Sequence, residues 1–139
     1  MYAINKKNLS LIIILFLFLS CSFYSDEDLG SNYWFWEDGN QSQIVHSNNM
    51  PISGYTIIDA NVSRYNFNDR YIIAKSNWLI KNGQDTYWII DKSIKINNDT
   101  TLSPKLYEKE LKRGLKAPMD SITFYKYLKK NKIDLRFED

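Results

Sequence analysis

From Tyr33 to Ile96 the chain is a succession of short aromatic and β-branched runs, each closed by a turn signal, and helical spacing of apolar residues begins only at Ser103-Pro104. Strands first and helices last confine the fold to α+β. Short runs with a period of two bury a face only by pairing in a sheet, and a sheet with short connections is antiparallel. Tyr33-Trp34-Phe35-Trp36 is the first run, stopped by Glu37-Asp38-Gly39-Asn40. Gln43–His46 and Tyr55–Asp59 follow. Val62–Phe67 carries Tyr65 and Phe67 on one face, Asn68-Asp69 takes a turn, and Arg70–Lys75 returns as a hairpin. Trp78-Leu79-Ile80 and Thr86–Asp91 flank Asn82-Gly83, a pair suited to a turn that needs φ > 0 at both positions. Ile94 and Ile96 mark a last short strand.

The helical part opens with Ser103 as N-cap and Pro104 at the first helical position, continues through Leu106, Tyr107, Glu110 and Leu111, and ends near Gly114. Pro118 breaks the chain, and Asp120 or Ser121 caps a second helix to Lys130. Its Ile122, Tyr125 and Leu128 recur at helical spacing and are expected to face the core. Lys126, Lys129, Lys130 and Lys132 stand late in it, where the negative helix end favours cations without any ligand. The expected architecture is an antiparallel sheet of five to seven strands, with one or two C-terminal helices over a face or an edge.

Ahead of this domain stands an export leader. Lys6 and Lys7 form a positive segment, Leu9–Leu19 an apolar one, and Ser20-Cys21 closes it before the chain turns polar. The apolar stretch is too short for a spanning helix, which needs ~20 residues, and has the length of a signal peptide. Phe18-Leu19-Ser20-Cys21 resembles a bacterial lipobox. That resemblance implies acylation of Cys21 and cleavage before it, giving a signal peptide over 1–20, an acidic tether over 21–31 and a single domain over 32–139. The alternatives are an ordinary cysteine beside a conventional cleavage site and an uncleaved membrane anchor. Cys21 is the only cysteine, so no intrachain disulfide is possible, and consumption of the thiol by lipid accounts for an exported chain without one. A ten-residue tether reaches at most ~35 Å from the bilayer.

The acidic run Asp26-Glu27-Asp28 has two readings, a solvated linker or a signal for transfer to the cell surface. The second rests on its likeness to the short acidic signal after the cysteine of Bacteroidota-type lipoproteins. Ser22, in place of an aspartate after Cys21, resembles lipoproteins sorted to the outer membrane. The domain would then face the periplasm or the cell surface.

Without residues 1–20 the chain has as many basic as acidic residues, which removes the electrostatic footprint of a nucleic-acid-binding protein. Charge is nonetheless divided, net −4 over 21–100 and net +4 over 101–139. Two faces of one domain attracting each other would account for this, as would a basic C-terminal face that meets an acidic partner.

No catalytic signature follows Cys21. His46 is the single histidine and stands in a polar context, leaving a Ser-His-Asp or Cys-His site nothing else to use. Zinc ligands are too few, no alternating Asp/Asn calcium loop occurs, and the five glycines form no phosphate loop. No cofactor or metal is expected, and the chain reads as a non-enzyme. Two close carboxylates, the minimum for a small hydrolase, remain conceivable among sixteen acids. Alternation places two of the aromatics Tyr33–Trp36 on each face of a strand; one pair is expected in the core, and the other packs under a helix or lies exposed. The candidate contact residues are Tyr33, Trp34 and Trp36, whose rings, if exposed, can stack on a sugar or a partner protein, together with Arg70.

Tyr65-Asn66-Phe67-Asn68-Asp69-Arg70-Tyr71-Ile72-Ile73-Ala74-Lys75 and Tyr87-Trp88-Ile89-Ile90-Asp91-Lys92 resemble a group of small bacterial lipoproteins of a domain-of-unknown-function family. These carry a Cys-anchored tether, an aromatic strand, an Ile-Ile-Ala-Lys strand, a Trp-Ile-Ile-Asp strand and a helical tail. The resemblance implies architecture and location, a membrane partner through the lipid and a protein or glycan partner through the domain. An immunity or inhibitor protein against a toxin or hydrolase is the alternative of a different class.

Overall fold

The computed structural model describes residues 24–49, 51–59, 61–77, 85–96 and 102–138. Four strands in chain order form a first antiparallel sheet: β1 (Tyr24–Gly30), β2 (Tyr33–Asp38), β3 (Gln41–His46) and β4 (Tyr55–Ile58). Gly30 faces Tyr33 across a two-residue turn in which Ser31 and Asn32 take φ of 55° and 65°. Left-handed backbone at both positions gives a two-residue turn the twist that matches paired strands. The β2–β3 turn is Gly39-Asn40, with Asp38 facing Gln41.

The second sheet is β5 (Val62–Phe67), β6 (Tyr71–Asn77), β7 (Asp85–Asp91) and β8 (Leu115–Met119), again antiparallel and in order. Asn68 closes the β5–β6 turn by accepting the backbone N–H of Arg70 and of Tyr71 on its side-chain oxygen. β6 and β7 pair from Tyr71–Asp91 to Asn77–Asp85. The segment between them, with the Trp78–Ile80 run and Asn82-Gly83, lies outside the described residues. Helix α1 (Pro104–Leu111) precedes β8 and helix α2 (Ser121–Lys130) follows it. Asp120 caps α2 through the Thr123 N–H at 2.7 Å, whereas Ser103 makes no side-chain cap to α1.

The two sheets pack face to face. Leu29, Tyr33, Phe35, Ile44, Ile57 and Ile58 of the first meet Val62, Ile72, Ala74, Trp88 and Ile90 of the second, and Leu111 of α1 closes the same core. The opposite face of the second sheet carries Ile73, Tyr87 and Ile89. Phe124 and Leu128 of α2 cover it, together with Ile133 and Leu135 of the C-terminal tail. Three layers result, sheet on sheet on helix, and the fold is α+β. Full burial of each Leu, Ile or Phe contributes ~1.5–3 kcal/mol, so both interfaces are needed for stability. Polar struts cross between the sheets. Ser42 Oγ donates to the Val62 carbonyl at 2.9 Å, Lys92 Nζ to the Leu29 carbonyl at 2.5 Å, and the Tyr65 hydroxyl to the Glu27 carboxylate.

Four expectations are corrected. The described strands number eight in two sheets, not five to seven in one. The acidic stretch read as a tether up to Ser31 is a strand from Tyr24 onward, because Leu29 is fully buried and Glu27 is bonded to Tyr65. The domain therefore begins before residue 32. Ile94–Ile96 form no strand; Ile96 packs as a partly buried side chain against the core. On α2, Ile122 and Tyr125 are exposed and Phe124 is buried, so only Leu128 of the expected stripe faces inward.

Candidate functional site

Strand β2 carries four aromatic side chains, and the pleat sends them alternately to two faces. Tyr33 and Phe35 point into the core between the sheets. Phe35 stacks on Tyr65 with ring centroids 4.3 Å apart, and Tyr33 meets His46 edge-on at 4.8 Å. Tyr33 is 2% exposed and cannot touch a partner, so its place among the candidate contact residues is withdrawn. Burial, with the Tyr107 phenol adding to it, pushes its hydroxyl up to about 12.

Trp34 and Trp36 stand on the outer face of the first sheet, both half-buried. Their cross-strand neighbours on β1 are Asp28 and Asp26, and on β3 Val45 and Gln43. Thr56 of β4 extends the row by facing Val45 and donating to Gln43 Oε1 at 3.0 Å. Trp34 is anchored by its indole N–H, which donates to the Ser47 carbonyl at 3.1 Å, and the 3₁₀ turn Pro51–Ser53 packs against β2. Two indole surfaces thus lie in line beside two carboxylates and an amide. Aromatic faces accept the C–H side of a sugar ring, while carboxylates and amides accept or donate to its hydroxyls. Sequence reading found the tryptophans but not Asp26 and Asp28, since a strand was not expected there. The matching two-residue spacing of Asp26/Asp28 and Trp34/Trp36 was the available signal.

Arg70 is not part of this face. It lies at the β5–β6 turn of the second sheet, 3.6 Å from the Asp91 carboxylate and over the Tyr71 ring at 4.9 Å. Both contacts are explained by holding the turn against β7, and the tryptophans belong to the other sheet. Cys21, the expected acylation site, lies outside the described residues.

His46 is buried at 2% exposure, not in the polar loop context expected from sequence. Its Nδ1 lies 3.2 Å from the Tyr107 hydroxyl, and Tyr55 packs against Tyr107 at 4.7 Å. Burial lowers its pKa, with a hydrogen bond to the Ser31 backbone opposing. A neutral ring protonated on Nε2, a tautomer assigned from these partners, can accept from Tyr107. The histidine thus ties β3 to α1 inside the fold. Among the described residues no cluster of three or more His, Cys, Asp or Glu could hold a metal ion, and no helix is long and apolar enough to cross a membrane. The chain matches no protein-family model, no curated protein and no solved structure.

Proposed function

We propose that the chain is a lipid-anchored envelope lipoprotein with a non-enzymatic domain that binds glycan at the bilayer surface. The observation that carries the binding reading is the outer face of the first sheet, where Trp34 and Trp36 lie in register with Asp28 and Asp26. The anchor reading rests on the Lys6–Cys21 leader and its lipobox-like end. The start of β1 at Tyr24 changes what such an anchor would do. Three residues beyond Cys21 reach at most ~10 Å, so the domain would stand on the membrane surface and not on a long stalk.

Two measurements test the two halves separately. Labelled palmitate should enter the wild-type chain and not Cys21→Ala; equal labelling of both removes the anchor. Binding of the intact chain to an oligosaccharide array should be lost in Trp36→Ala while its thermal transition persists. Undiminished binding by that variant, in a folded protein, removes the tryptophan face as the site.

A further inference from the structure

On the far side of the molecule a concavity of about 240 Å³ is lined by Arg64, Lys75, Tyr87, Tyr125, Arg136 and Phe137. Three of its six lining residues are cations and none is acidic. The cations converge from separate parts of the fold. Arg64 and Lys75 are cross-strand neighbours on β5 and β6, and Tyr87 is the next neighbour on β7. Arg136 arrives on the C-terminal tail, whose backbone carbonyl at that residue accepts from the Asn66 side chain at 2.7 Å. Lys75 pairs with Asp85 at 2.7 Å at the rim of this cluster. Tyr125 forms one wall, 6.2 Å from Tyr87 and half-exposed, and one turn before it on α2 Ile122 is 80% exposed. An apolar residue and a tyrosine projecting beside clustered cations is the pattern of a surface that meets lipid headgroups.

The position of this surface agrees with that chemistry. Ser42 to Val62, Glu27 to Tyr65 and Leu29 to Lys92 show that β1 and β5 run alongside each other. The start of β1 is therefore at the same end of the molecule as Val62 and its neighbour Ser76. The Asn77–Asp85 and Tyr87–Met119 pairs are also there, and α2 starts from that end. The chain enters the fold where Arg64, Lys75 and Ile122 are. Of the acids of that end, Asp26, Glu37 and Asp38 belong to the first sheet, Asp85 on β7 is held by Lys75, and Asp120 caps α2 through the Thr123 N–H, so the α2 side presents Arg64 and Arg136 to an anionic surface.

We infer that Arg64, Lys75 and Arg136, with Ile122 and Tyr125, form a docking surface for the phosphate headgroups of an anionic bilayer. This rests on the lipid-anchor reading, since the anchor brings that end of the molecule to the membrane.

The single cysteine makes a direct test possible. Acylation would consume Cys21, so Ile122→Cys offers one thiol for a nitroxide in the full chain. The labelled protein is inserted into vesicles of phosphatidylcholine alone or of phosphatidylcholine mixed with phosphatidylglycerol. Shielding of the nitroxide from a water-soluble relaxing agent should appear only in the anionic vesicles and should fade at high salt. Arg64→Gln with Arg136→Gln should weaken the docked population roughly 25-fold, about fivefold per arginine near an anionic surface. That pair spares the Lys75–Asp85 bridge, and a preserved thermal transition shows that it folds. Equal accessibility in both vesicles overturns the inference. So does binding of dissolved glycerol 3-phosphate through Arg64 and Arg136 with no response to vesicle charge, which would assign the cations to a soluble ligand. Intact mass before labelling reports Cys21 separately. An unmodified Cys21 refutes the anchor, and the measurement is then made on Cys21→Ala with Ile122→Cys, where charge-dependent shielding still supports the surface.

Discussion

His46 shows how far a single residue can be read from its neighbours in sequence. A lone histidine between Val45 and Ser47 carries no sign of the tyrosines that enclose it, because Tyr33, Tyr55 and Tyr107 come from other elements. Its enclosure predicts a pH dependence. The folded pKa lies below the ordinary 6.5, so the unfolded chain binds the proton more readily. The stabilisation is fully present above pH 6.5 and is lost as pH falls from there towards the folded value. The urea midpoint should therefore drop on acidification through that window, and His46→Gln should flatten the drop. An unchanged slope in the variant would assign it to other groups. Tyr33 acts at the other end of the scale. Its pKa, raised to about 12, makes the unfolded chain the better acid above pH 10, and stability should fall there. Of the aromatic strand, alternation made two faces legible in the sequence but not which was inside. That depended on which sheet would cover β2.

At the scale of elements, legibility followed apolar density. β2, β5, β6 and β7 were marked by aromatic and β-branched runs, and Pro104 and Asp120 marked the helix starts. β1 was missed because four of its seven residues are Asp, Glu or Gly and its one core residue is Leu29. Its turn also lacks the Asn-Gly signature, using Ser31-Asn32 in the same left-handed backbone. β8 was missed because Pro118 argues against a strand. An edge position beside a register shift tolerates it, since no ladder partner needs its missing N–H. Leu29→Ala should cost ~2–5 kcal/mol in denaturant unfolding, as for a filled core site. A tether residue would cost almost nothing, so a change below about 0.5 kcal/mol would return residues 24–30 to the linker reading. α2 yields a paired prediction. Phe124 is fully buried against Tyr87 at 5.0 Å and Phe137 at 5.7 Å, and Phe124→Ala should cost ~3–5 kcal/mol. Ile122→Ala should lie within about 0.5 kcal/mol, since its side chain meets solvent. A stripe of Ile122, Tyr125 and Leu128 fitted helical spacing equally well. The decision for Phe124 comes from the tail, which reaches back over the helix and could not be placed from sequence.

For the molecule as a whole, α+β was legible because strands and helices are segregated along the chain, whereas the division into two sheets was not. A sequence marks where strands are but not where pairing stops. The break falls between β4 and β5, where the chain crosses from one layer to the other and β5 pairs with β6. This arrangement also places the start of β1 and the start of α2 at one end, which bears on the lipid anchor proposed at Cys21. A domain on a ten-residue tether would sample positions up to ~35 Å from the bilayer, and lengthening the tether would change little. With such an anchor, a strand that starts at Tyr24 would be held within ~10 Å, so lengthening the link should matter. Energy transfer from the tryptophans to an acceptor in the vesicle surface measures this. Transfer should be high in the native chain and fall when a Gly-Ser spacer of ten residues is inserted after Ser22, because such a linker adds a root-mean-square ~15–20 Å. A fall of that kind in neutral vesicles, with partial recovery when phosphatidylglycerol is added, would separate two contributions to proximity: the short link, which the spacer abolishes, and attraction of Arg64, Lys75 and Arg136 to the surface, which it leaves in place. Transfer insensitive to the spacer in neutral vesicles would mean that the length of the link does not hold the domain at the membrane.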